Sequence, residues 1–242
     1  TGLKISQPNT DVVGMFKSVG DTGSINDICV EDANITGDRV VGVLAGRNFG
    51  EITRACVTGK ATANRRNVGG IVGNSIGNIR LSYAVVNVTG ERAVGGLVGG
   101  LYNGDLEHSY AAGDVMGEMA VGGLVGHINN IPPGNAALRN SYWDVEATGK
   151  DTAVGRGWTD AFENVEGLQT SEMKGKSAAD RLSTFDFVDN WETVTDPDGY
   201  PVLSDTEDLS QQDSEELPGF TVICALLSLF AILASLTNNE PP

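Results

Sequence analysis

The side chains best equipped for chemistry are few and scattered. Asp105 and Glu107 flank Leu106, so in an extended strand with Leu106 pointing inward both carboxylates share one outward face. A pair of carboxylates is the minimum for acid–base cleavage of a glycosidic bond. Such a site also needs further acids, arginine or calcium on adjoining elements, and the equivalent positions one unit earlier hold Asn78 and Arg80. The other acids of this region, Glu51, Glu91, Asp114 and Glu118, are dispersed. His108 and His127 are the only histidines and have no HExxH context, which supports neither a metal site nor a Ser/His/Asp system. Asp196-Pro-Asp-Gly199 lacks a third acidic ligand before its glycine and reads as a tight turn rather than a calcium loop. No catalytic residue, metal or cofactor is therefore expected, and the protein reads as a non-enzyme.

Two sites invite modification. Asn34-Ile-Thr36 and Asn87-Val-Thr89 are N-x-[ST] sequons that occupy the same place in a repeated unit. If Ile35 and Val88 point inward, the alternation of a strand turns both asparagines out, where a glycan fits. The formal net charge of −16 lacks the basic footprint that nucleic-acid binding needs. Three cysteines make no disulfide framework, and Cys29 and Cys56 read as small apolar core residues rather than a bonded pair.

The elements that must carry these residues are set by an internal repeat. Val-Gly-Gly-[Ile/Leu]-Val-Gly recurs at Val68, Val94 and Val121, with Val41-Gly-Val-Leu-Ala-Gly46 before it and a degenerate Val13-Gly-Met-Phe16 at the start. Downstream lie a glycine with an apolar residue (Gly50/Ile52, Gly77/Ile79, Gly104/Leu106) and then a column of Cys29, Cys56, Tyr83, Tyr110 and Tyr142. A further apolar column holds Ile35, Ala61, Val88, Val115 and Val145. Three short apolar segments per unit, punctuated by glycine, describe three strands per coil. Helices are excluded, since each internal glycine costs about 1 kcal/mol relative to alanine. Coils of this kind bury their faces only by stacking, which places like residues over like. The expected fold is all-β: a right-handed parallel β-helix of about five 27-residue coils, its Cys/Tyr column forming an inward ladder.

The unit typified by residues 83–126 resembles the GLUG repeat of bacterial and archaeal surface and adhesin-like proteins, over about residues 13–146. That resemblance implies a β-solenoid presented at a cell surface. Residues 147–203, where Trp158, Phe162, Phe185, Phe187, Trp191 and Tyr200 concentrate, are expected to form a C-terminal cap over the open end, with a helix near Thr170–Leu182. Residues 204–217 form an acidic linker, and 218–242 an apolar anchor or sorting segment containing the uncharged run Phe220–Leu236. The junction Pro218-Gly219-Phe220 resembles the PGF sorting signal of archaeal surface proteins, which implies cleavage and attachment to lipid. Thr237-Asn-Asn-Glu-Pro-Pro242 departs from that pattern in having no basic cluster. The expected protein is thus extracellular and membrane-anchored by its tail, with a cell-envelope or glycan partner or self-association. A carbohydrate-binding or carbohydrate-cleaving β-helix is the alternative.

Overall fold

A computed structural model of the chain describes residues 2–129, 136–157, 161–194 and 199–204. Strands stack in parallel into three sheets around one apolar interior. The first sheet is seeded by the long strands Ser24–Gly37 and Glu51–Ala63 and continues through Asn78–Arg80, Tyr83–Thr89, Asp105–Glu107, Tyr110–Ala112 and Ala137–Asp144. The second stacks Val12–Val13, Val40–Gly42, Arg66–Gly69, Arg92–Gly95 and Met119–Gly122. The third stacks Phe16–Val19, Ala45–Asn48, Val72–Ser75, Val98–Leu101, Val125–Ile128 and Val154–Arg156.

Register follows the repeat residue by residue. Ile52, Ile79, Leu106 and Leu138 stack in one buried column, and Ile35, Ala61, Val88 and Val115 in another. Leu44, Ile71, Leu97 and Leu124 are fully buried where the second sheet turns into the third. The paired glycines at that turn answer a need for space. A Cβ on Gly70 would stand 2.8 Å from the Cβ of Ala84, and one on Gly96 would stand 2.6 Å from that of Ala111. Left-handed backbone is instead adopted by non-glycine residues at another corner, where Asp27, Arg54, Leu81, His108, Asn140 and Asn164 have φ between 46 and 55°. Such angles cost about 1–2 kcal/mol each for a residue with a Cβ. Beside them runs a buried ladder in which Ser82 Oγ accepts from Ala55 N–H, Ser109 Oγ from Ser82 N–H and Ser141 Oγ from Ser109 N–H, at 3.1–3.3 Å.

The solenoid has about six turns rather than five, because the stretch expected to cap it begins by continuing it. Val154–Arg156 extends the third sheet on Val125–Ile128, and Ala161–Leu168 lies parallel to Ala137–Asp144 on the first. The repeat motif has faded here, but backbone pairing needs none of it. Trp143 fills the interior of the coil beneath this last turn, against Gly123 and Gly167, where earlier coils place Ala84 and Ala111. The inserted Ile131-Pro-Pro-Gly134, Trp158, the turn Asp196-Pro-Asp198 and everything from residue 205 onward, including Pro218, Gly219 and Phe220, lie outside the described residues.

Candidate functional surfaces

From Gln169 the chain leaves the coil and runs back along its flank, not over its end. The expected helix is two short ones, Thr170–Met173 and Ser177–Arg181, separated at Gly175, whose φ is 59°. Gln169 N–H donates to Glu172 Oε2 at 2.9 Å at the first helical turn. An antiparallel pair, Trp191–Glu192 with Val202–Leu203, completes the segment. Its apolar side chains form a second core with the tyrosine column, separate from the coil interior.

The column therefore points outward, which corrects the inward ladder expected above. The interior at this level has room only for Ala84 and Ala111, packed against glycine, so the pleat sends Tyr83 and Tyr110 to the other side. There Tyr83 and Tyr110 stack with centroids 5.0 Å apart, and Trp191 sits 5.7 Å from Tyr110 and 4.5 Å from Phe185. The hydroxyls fasten the returning segment. Tyr110 donates to Pro201 O at 2.7 Å, Tyr142 bonds Thr184 Oγ1 at 2.9 Å, and Tyr200 donates to Asp144 Oδ2 at 2.6 Å. Burial, and secondarily Glu31, raises Tyr83 to about 12. Burial also holds Tyr110 and Tyr200 well above the usual phenol range, with Asp144 adding to the effect at Tyr200.

The lower end of the column departs from the expected apolar core in two ways. Cys29 is exposed, and Cys29 and Cys56 are joined by a disulfide with Cα atoms 4.5 Å apart. The returning segment covers the tyrosines but leaves this coil edge open, so the pair stands at the rim of the second core rather than within the first.

Asp105 and Glu107 do share an outward face, but cations occupy it. Arg139 Nη1 lies 3.2 Å from Asp105 and 3.0 Å from Glu107, and Arg80 Nε lies 3.4 Å from Glu107. The Glu107 hydrogen bond raises the Arg139 pKa further. This is a cross-strand charge ladder between register partners Arg80, Glu107 and Arg139. His108 bonds Asn140 at 3.1 Å. Among the described residues no group of three or more His, Cys, Asp or Glu could hold a metal ion.

Asn34 and Asn87 are both exposed beside fully buried Ile35 and Val88. Each is a register partner of Lys60, which puts the two asparagines two coils apart on one face, about 10 Å. Sequence reasoning overlooked the arginines that line a cleft between the second and third sheets, Arg66, Arg92 and Arg156. The signal was present in the spacing of Arg39, Arg66 and Arg92 before successive valines, but it is diluted by the acidity of the whole chain.

These features define the class: a parallel β-solenoid with a fastened C-terminal flank. The GLUG motif family matches residues 90–116, which supports a GLUG-repeat protein. The chain is similar in fold to the crystal structure of a candidate immunoglobulin A1 protease from Bacteroides ovatus, with a TM-score of 0.58 and 17% identity over 81% of this chain and 74% of that one. No match to a curated protein was found. Among the described residues no helix is long and apolar enough to cross a membrane.

Proposed function

We propose that this chain is a non-enzymatic structural or adhesion protein that displays its solenoid outside a cell membrane, tethered by the C-terminal segment. The observation that carries this reading is that the repeated columns are committed to packing, pairing and fastening. The acids nearest to a glycosidase arrangement, Asp105 and Glu107, are engaged by Arg139 and Arg80. The GLUG match favours a surface repeat protein. The Cys29–Cys56 disulfide supports an oxidising compartment. Outward Asn34 and Asn87 suit glycosylation, and Pro218-Gly219-Phe220 suits processing and lipid attachment. The fold likeness to a candidate protease, at 17% identity, lends no catalytic argument.

Mass spectrometry of the protein recovered from its native envelope tests the reading. The expected product ends near Pro218–Phe220 with added lipid, carries glycan on Asn34 or Asn87, and keeps Cys29 and Cys56 inaccessible to thiol labels until reduced. Recovery of an unmodified chain running through Pro242 from the soluble fraction, with labelled thiols, would overturn it.

A further inference from the structure

The cleft between the second and third sheets is built from two facing rows. On the second sheet Arg39, Arg66 and Arg92 each stand two residues before a stacked valine, and Arg66 and Arg92 are direct register partners. On the third sheet Arg47, Asn74, Gly100, His127 and Arg156 stack in one column. Between them opens a recess of ≈ 210 Å³, and a neighbouring recess of ≈ 340 Å³ shares Arg66 and Arg92 with it and adds Arg39, Arg65 and Glu91.

Two features distinguish this cleft from an ordinary solvated face. First, the chain is strongly acidic and most of its arginines are paired: Arg39 with Asp11 and Asp38, Arg65 with Asp38, Arg80 and Arg139 with Glu107. Among the described residues Arg66, Arg92 and Arg156 have no ion pair, although Arg66 and Arg92 stack about 4.8 Å apart. Like charges on adjacent strands repel, and an anion between them removes that repulsion. Second, the lining is prepared for more than a point charge. A Cβ on Gly100 would meet the Tyr102 ring at 2.9 Å, so the missing side chain makes room for that ring, and Tyr102 Oη accepts from Asn67 Nδ2 at 3.0 Å. Asn129 adds an amide at the wall.

We propose that this cleft binds a linear acidic polysaccharide along the solenoid axis. Arg66, Arg92 and Arg156 hold its carboxylate or sulfate groups through paired N–H donors, Tyr102, held by the Asn67 amide, packs against a sugar ring, and Asn129 meets its hydroxyls. Arg66 and Arg92 on adjacent coils, with Arg156 on the facing sheet, present three cationic groups along the cleft, which suits a polymer carrying more than one charge. The inference deepens the proposed envelope role by naming a partner, but purified protein tests it independently of where the protein resides.

The test is titration calorimetry of the full chain with polygalacturonate, dextran sulfate, neutral dextran and polyglutamate. At least one acidic polysaccharide binds, neutral dextran does not, and the Arg66→Gln/Arg92→Gln variant loses about tenfold or more in affinity. Arg181→Gln, whose guanidinium pairs with Glu166 and Glu172 on the flank, leaves binding unchanged. Which acidic polymer binds tells carboxylate from sulfate. Circular dichroism checks that the variants fold, and Arg156→Gln on the other sheet replaces the double variant if that one does not. Failure of both acidic sugars to bind, unaltered affinity in the folded variants, or equal binding of polyglutamate would overturn the assignment, the last in favour of an acidic peptide.

Discussion

The protein has two hydrophobic cores that obey different rules. The coil interior is made of Val, Ile, Leu, Ala and Gly stacked over their own kind, and among the described residues Trp143 alone brings a large aromatic into it. The second core joins the coil's repeated Tyr83, Tyr110 and Tyr142 to Phe185 and Trp191 of the returning chain, which follow no repeat, and is tied by hydroxyl hydrogen bonds. In the first, parallel backbone pairing sets the spacing and side chains must conform to it. In the second, no strand pairing joins the described part of the returning chain to the coil, so side-chain shape, three phenols and polar bonds from Arg54, Asp144 and Glu146 fix its position. Repetition is what a solenoid interior needs, whereas the flank needs a particular set of partners.

Removing the centre of the flank gives the largest expected effect. Trp191 is fully buried and contacts Tyr83, Tyr110 and Phe185. Trp191→Ala should cost the flank about 3–5 kcal/mol. If the two cores are separable, near-ultraviolet circular dichroism and amide protection are lost over residues 169–204 while the far-ultraviolet β signal stays. Simultaneous loss of both signals would make the cores a single cooperative unit.

Leu106→Ala probes the other side of the comparison and should cost about 2–5 kcal/mol. Leu106 is sealed between Ile79 and Leu138, so the vacancy weakens coils above and below it. Denaturant unfolding should show flank and coil signals shifting together, since the flank has no scaffold without the coil. A flank that survives coil unfolding would contradict that dependence.

The smallest effect is alkaline. Tyr83 rises from 10.0 to about 12 in the folded protein, mainly because burial penalises the phenolate. The folded state therefore favours the neutral phenol, a contribution fully present below pH 10 and lost as pH climbs through about 12. Tyrosinate absorbance should lag free tyrosine and then appear together with flank release, before coil unfolding. Tyr83 ionising near 10 with the flank intact would break the proposed distinction.

Much of the coil was legible because its constraints are local and recur. Val68, Val94 and Val121 stack as their spacing requires, and Asn34 and Asn87 face outward beside Ile35 and Val88. The sixth coil was not legible, because Ala161–Leu168 pairs through its backbone without repeating the motif. The direction of the tyrosines was misread for a related reason. A column shared with two cysteines says that residues stack, but period-two alternation leaves the choice of face open until something fixes it. Here that is the contact of Ala84 and Ala111 with Gly70 and Gly96, residues distant in sequence. The charge ladder of Arg80, Glu107 and Arg139 was half visible, since an insertion displaces Arg139 from the regular step.

By itself the sequence determined the stacked parallel coil, its periodic core and its acidic exterior, because each follows from a pattern that neighbouring units repeat. Tertiary structure alone decided that the C-terminal segment lies along the flank, that Cys29 meets Cys56 in a bond, and that Arg66, Arg92 and Arg156 line one cleft. Those outcomes depend on which face of a sheet is already filled and which charges lack partners. Both are properties of surfaces, and the surfaces exist only once the coils have stacked.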